Sequence, residues 1–179
     1  LRGWSVRSKP MCGIVGIVSR PSARPVPSAA DVLALLDTAV AAGDDLAAAA
    51  GPLAVADSLL KGDPGIELLA GEESLAAAVV QRLDAVDAVT DAVEARLDAM
   101  HGDSAALDAA AARVSAVRDA SWAIRRDRLR TADAVLALAG PGVPVHALHG
   151  YLSVQQALSA IDRMEVRGRD SAGIAVTVW

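Results

Sequence analysis

Between Val79 and Met100 the seam residues are Val79, Leu83, Val86, Thr90, Val93, Leu97 and Met100, alternating steps of four and three. That period of 3.5 residues is a heptad seam. A helix carrying it must bury one narrow stripe against another helix. The alternation resumes at Leu107, Ala110, Val114, Val117, Ser121 and Ile124. His101-Gly102-Asp103 interrupts the two runs, and Asp103 or Ser104 can cap the second. The spacing predicts an antiparallel hairpin in which residues 72–100 pair with 104–129, each helix about 40 Å long. Val86, Val93 and Leu97 are expected to face Leu107, Val114 and Val117.

The rest of the chain divides into shorter pieces. Ser28 can cap a helix bearing Val32, Leu35, Leu36 and Val40, which Gly43 ends. A second short helix is expected near residues 52–60, followed by the turn Lys61-Gly62-Asp63-Pro64-Gly65 and a short helix or loop over 66–70. A third helix, residues 131–139, stops at Gly140-Pro141-Gly142. Residues 153–165 form an amphipathic helix with Val154, Ala157, Leu158, Ile161 and Met164 on one face. Two stretches break the helical pattern: residues 12–18 and 172–178 are short, apolar and rich in β-branched side chains, and they read as buried strands. Pro21, Pro25 and Pro27 make residues 20–27 a linker.

Composition narrows the function classes. Apolar residues make up 53% of the chain, so there is material for a core, but aromatics are only 2% and Phe and Asn are absent. Alanine dominates, which favours helix; a GC-rich coding bias explains the same excess. A net charge of −5 argues against a general nucleic-acid binder. Arg125, Arg126, Arg128 and Arg130 form the densest basic stretch, either a solvated helix face or a contact for phosphate or a partner. The single cysteine excludes an intrachain disulfide and fits a reducing cytoplasm. No apolar run has the length of a membrane span, and the basic, then apolar, N-terminus lacks a convincing cleavage site for a signal peptide. His146 and His149 are a weak metal signal, and no metal or cofactor is expected.

Cys12 is the residue with chemical promise. Met11 is the first methionine, so residues 1–10 read as an upstream extension. With residues 1–11 gone, Cys12 carries its own α-amine, whose pKa of about 7.7–8.0 suits it to take the proton of a thiol of pKa about 8.5. Terminal amine and side-chain nucleophile then form a catalytic pair within one residue.

Two motifs give this a family. Met11-Cys12-Gly13-Ile14-Val15-Gly16-Ile17 resembles the start of class II, N-terminal-nucleophile glutamine amidotransferases. Arg167-Gly168-Arg169-Asp170-Ser171-Ala172-Gly173-Ile174-Ala175-Val176 resembles their second motif. Within the class it is most similar to the glutamine–fructose-6-phosphate aminotransferase branch, with Arg169 where Tyr is common. The resemblance implies that Cys12 attacks the glutamine amide, and that Arg167 and Gly168 help to hold glutamine. Asp170, Ser171 and Gly173 would shape the turn. The implied partners are glutamine and fructose 6-phosphate, with no nucleic acid and no membrane, and a homo-oligomer is compatible with the reading. The implied fold is α+β: a partial N-terminal-nucleophile hydrolase sandwich, two strands and one helix, interrupted by a mostly α-helical insertion containing the hairpin. Residues 11–20 and 152–179 would belong to the amidotransferase and 21–151 to the insertion. The later glutaminase motifs do not appear. One of them is an Asn-Gly oxyanion hole, and the chain has no Asn, so it reads as an N-terminal piece, inactive alone, of a longer enzyme.

Overall fold

Ser28 sits in extended conformation and its Oγ accepts from the Asp31 amide at 3.0 Å, which starts helix α1, Ala29–Ala41. This side-chain acceptor satisfies one of the donors that a helix start leaves free. The computed structural model describes residues 14–20, 22–99, 104–164 and 173–177. α1 buries Val32, Leu36 and Ala39 and gives way to a turn through Gly43 at φ +55°. Asp45 caps α2, Leu46–Leu59, by accepting from Ala48 N at 3.1 Å. The helix starts six residues before Pro52. A proline inside a helix costs about 3 kcal/mol, but Leu46, Ala49, Leu53 and Ala56 are all buried on one face, and that packing holds the turn together.

α3, Asp63–Gly71, begins after Gly62 at φ +73°, with Pro64 in its first turn. Its entry is tight: a Cβ on Gly65 would lie 1.9 Å from the Leu60 carbonyl oxygen. α4, Leu75–Asp98, and α5, Ser104–Trp122, are two long helices side by side. Their ion pairs record an antiparallel register. Arg118 bonds Asp91 at 2.8 Å and also Glu94, Ser121 Oγ donates to Asp87 at 2.8 Å, and Arg125 bonds Asp84 at 2.7 Å and Asp87 at 2.9 Å. As one number climbs, its partner falls. The Arg118 guanidinium is held above its ordinary pKa, first by its hydrogen bond to Glu94. Burial works against the Arg125 charge, and hydrogen bonds to Asp84 and Asp87 outweigh it, so its pKa is raised too. The α4 stripe is deepest at Val79, Leu83, Val86 and Thr90; Val93 and Leu97 are only partly covered. Thr90 is fully buried and donates its hydroxyl to the Val86 carbonyl at 2.8 Å.

α5 does not stop at Trp122. It passes through a π-helical stretch, Ala123–Leu129, directly into α6, Arg130–Ala139. Gly140 at φ +78° ends α6, and α7 runs Val145–Met164. α1 packs on α2 and α4, and α5 packs on the same two, which closes a ring of four helices. Asp37 on α1 pairs with Arg82 at 2.7 Å and Asp44, in the turn after α1, pairs with Arg96 further along α4 at 3.1 Å, so α1 and α4 run the same way. α3, α6 and α7 pack on one another, with α3 and α6 also touching the π-helical stretch, and form a smaller cluster at one end of the ring.

The expected α+β sandwich is overturned. Every regular element among the described residues is helical, and none is a strand. Residues 14–18 belong to no regular element and are unpaired, with Ile14 96% and Val18 91% exposed. Residues 173–177 are likewise unpaired, with Ile174 and Val176 exposed. The remaining residues of the two expected strands, 12, 13, 172 and 178, lie outside the described residues. The physical reason is that a β-branched apolar run only permits a strand; a ladder needs a neighbouring backbone to bond, and two strands alone are marginal at best.

Candidate functional site

Cys12, Arg167 and Gly168 lie outside the described residues, and so do Met11, Arg169, Asp170 and Ser171. The described chain nearest to them is the N-terminal flank, from Ile14 onward, and α7 with the short stretch from Gly173.

The flank does not hang free of the helices. Ser19 Oγ lies 2.5 Å from Ser153 Oγ on α7, although the two are 134 residues apart in sequence. Ser153 in turn donates to the His149 carbonyl one turn earlier, at 3.2 Å. Ser22 N–H donates to Asp63 Oδ2 at 3.1 Å, and Arg24 N–H donates to Ser22 Oγ at 3.2 Å. The Arg24 guanidinium reaches two carbonyls at the end of α2: Nη1 donates to Ser58 O at 3.1 Å and Nη2 to Lys61 O. Ser58 O also accepts from Lys61 N–H at 3.4 Å, and a cation at a helix end meets the negative end of the helix dipole. Flank, α2–α3 corner and α7 enclose a shallow polar groove of about 670 Å³, lined by Ser19, Arg20, Arg24, Asp63, Ser153 and Gln156 among others. A second groove, about 500 Å³ and lined mainly by apolar groups such as Leu136, Pro141, Val143 and Leu148, lies beside the α6–α7 turn.

α7 is two things along its length. Leu148 and Leu152 are buried against the helical cluster. Beyond them, Val154, Ala157 and Ile161 are half-covered and Leu158 is 39% exposed. The helix begins eight residues before the position expected from sequence, because Leu148 and Leu152 continue its apolar face backwards into the body. His149 Nε2 is 3.9 Å from Glu67 Oε2, too long for a hydrogen bond, and no group of three metal-type ligands occurs among the described residues. Of the basic run, Arg125 pairs with Asp84 and Asp87, and Arg128 with Asp57 at 2.9 Å. Two of its four charges are therefore spent inside the bundle.

Sequence reasoning passed over Ser19, Arg24, Asp63 and Ser153. Residues 20–27 read as a linker, and a hydrogen bond to a distant backbone carbonyl leaves no periodicity to find. No helix among the described residues is long and apolar enough to cross a membrane. No family model, curated protein or solved structure matches this chain.

Proposed function

We propose that this chain carries the nucleophile of a class II glutamine amidotransferase, acting in a longer protein that delivers ammonia to fructose 6-phosphate to give glucosamine 6-phosphate. The observation that carries the reading is the pair of motifs, Met11-Cys12-Gly13-Ile14-Val15-Gly16-Ile17 and Arg167-Gly168-Arg169-Asp170-Ser171-Ala172-Gly173-Ile174-Ala175-Val176, at the two edges of a self-contained helical body. What supports it from the structure is that the chain just before residues 21–151 touches the chain just after them, Ser19 against Ser153 on α7. A body inserted into an enzyme must begin and end close together. The bare apolar side chains of Ile14, Val18, Ile174 and Val176, and of Leu158 on α7, are suited to being covered by further protein.

The chemistry is that of a terminal thiol. The α-amine of Cys12 takes the thiol proton, and Sγ attacks the side-chain amide carbon of glutamine. The carbon–nitrogen bond breaks, the proton passes to the leaving nitrogen, and ammonia departs from a glutamyl thioester. Water then hydrolyses the thioester and restores the thiol. Arg167 and Gly168 hold glutamine by resemblance. The oxyanion donors come from outside this sequence, which has no Asn; one such donor is worth about 10²–10³ in rate. Glutamine and the sugar phosphate are the partners, no metal or organic cofactor takes part, and the cytoplasm is the compartment.

The test uses the longer protein beginning at Cys12 and a diazoketone analogue of glutamine. The analogue should label Cys12, Cys12→Ala should abolish labelling, and residues 1–11 left in place should suppress it, because an acylated nitrogen cannot accept the proton. Equal glutamine hydrolysis with and without residues 1–11 would overturn the mechanism. The absence of strands among the described residues favours a second reading, a non-catalytic helical module that docks a partner; failure of labelling in the longer protein would select it.

A further inference from the structure

We propose that the apolar groove beside the α6–α7 turn docks a basic peptide segment of a protein partner, in which one or two large apolar side chains stand among Lys or Arg. This role is independent of whether Cys12 is a nucleophile. The groove, about 500 Å³, is walled by Ala70 near the end of α3, Leu136 near the end of α6, Val143 in the turn, and Val145 and Leu148 on α7. It stays open because the turn between α6 and α7 carries little side chain. Gly140 and Gly142 sit at φ +78° and +77°, a backbone that glycine adopts without strain. Its volume lies within the range of about 300–1,000 Å³ in which proteins bury ligand groups.

Charge selects the occupant. Residues 62–81 contain Asp63, Glu67, Glu72 and Glu73 but no Lys or Arg, and residues 131–162 contain Asp133 and Asp162 but no Lys or Arg. Those two stretches supply every wall of the groove. Lys61 and Arg130, the cations that precede them, stand at the ends of α3 and α6 away from the groove. Glu72 and Glu73 follow Ala70 closely and are exposed, and exposed Asp133 is one turn before Leu136. In the ring of α1, α2, α4 and α5, by contrast, carboxylates such as Asp37, Asp57 and Asp87 are matched by arginines of the same chain. The α3, α6 and α7 cluster therefore sets an apolar groove in an uncompensated negative field. Such a field draws in a cation-bearing segment and repels an acidic one. It equally repels nucleic acid and anionic lipid, and a second copy of this chain would bring two acidic rims together.

The test is fluorescence anisotropy on the full chain with a short labelled peptide of Leu and Trp set among Lys. At low salt this peptide should bind at least about tenfold more tightly than the same peptide with Glu for Lys, and the preference should shrink as salt rises. A version with Ser for Leu and Trp should also bind at least about tenfold more weakly, because the groove is apolar. Equal binding of any two of the three peptides overturns the proposal. Two variants at exposed positions locate the site. Val145→Lys, at a residue 41% exposed, and the double change Glu72→Lys with Glu73→Lys should each weaken binding about tenfold. Val55→Lys on α2, at a residue 49% exposed, should leave it unchanged. If Val55→Lys weakens binding as much as the other variants do, the groove is not the site. Sedimentation that finds the unaltered chain dimeric and Val145→Lys monomeric, with no peptide bound, would assign the groove to a second copy and overturn the basic-peptide assignment.

Discussion

Arg128 and Asp57 form the most enclosed ion pair among the described residues, with side chains 16% and 22% exposed, and both guanidinium contacts fall at 2.9 and 3.1 Å. Arg96 and Asp44 make a pair of similar length with side chains 60% and 68% exposed. Water screens the second and supports each partner if the other is lost, so Arg96→Ala should change stability by less than about 0.5 kcal/mol. Asp57→Ala leaves a guanidinium half out of water with no counter-charge. Its expected cost is about 2 kcal/mol, between the exposed and the fully buried cases. Urea midpoints of the two variants decide the matter, and equal shifts would show that the enclosure of Asp57 counts for nothing. At this same scale the candidate site was only partly legible. Cys12 stands out chemically because Met11 precedes it. Arg24 does not, since nothing in an Arg within a Pro-rich stretch announces carbonyl partners 34 and 37 residues away.

At the scale of elements, the π-helical stretch explains how one long helix serves two packing partners. The buried positions of α5 run Val117, Ser121, Ile124 in steps of four and three. The next step is five, to Leu129, and the steps then become three, to Ala132 and Val135. Regular α-helix would put Arg128 where Leu129 sits. One extra residue in the wider turn moves Leu129 onto the apolar stripe and leaves Arg128 at the edge, facing Asp57. Deleting exposed Asp127 should therefore restore ordinary α phase and keep the stripe aligned. The deletion should lower the melting temperature by only about 5 °C, whereas deleting exposed Ala116 from regular α5 should unfold the chain, because it rotates every later residue by about 100°. Thermal melts followed by far-ultraviolet circular dichroism separate the two; equal damage from both deletions would refute the extra-residue account. The long helices were legible because a heptad seam survives any detail of packing. The start of α2 was not, since Pro52 signals an end and only the tertiary burial of Leu46 and Ala49 overrides it. The two strands were misread because an apolar β-branched run specifies what a strand needs on its faces and not the partner it needs at its edges.

For the whole molecule the question is where one folding unit stops. The ring of α1, α2, α4 and α5 and the cluster of α3, α6 and α7 share a continuous buried core, from Val32 through Leu83 and Ile124 to Leu152. The described parts of the flanks do not enter it: residues 14–18 and 173–177 are nearly all exposed. Energetically the N-terminal flank leans on the body through exposed hydrogen bonds, each worth on the order of 1 kcal/mol, while the body rests on apolar burial at about 25 cal/mol per Å². A chain trimmed to residues 22–164 retains the Arg24 and Asp63 contacts and every described helix. It should unfold in a single transition with a melting temperature within about 3 °C of the full chain. It should also bind less of an apolar fluorescent dye, because Ile14, Val18, Ile174 and Val176 are gone. A large fall in melting temperature, or loss of helical signal in the trimmed chain, would mean that the flanks are part of the fold. A trimmed body as stable as the whole would mean that the helices fold without regard to the motifs on either side of them. The body would then act on any chemistry at Cys12 only through the few bonds that reach the flank.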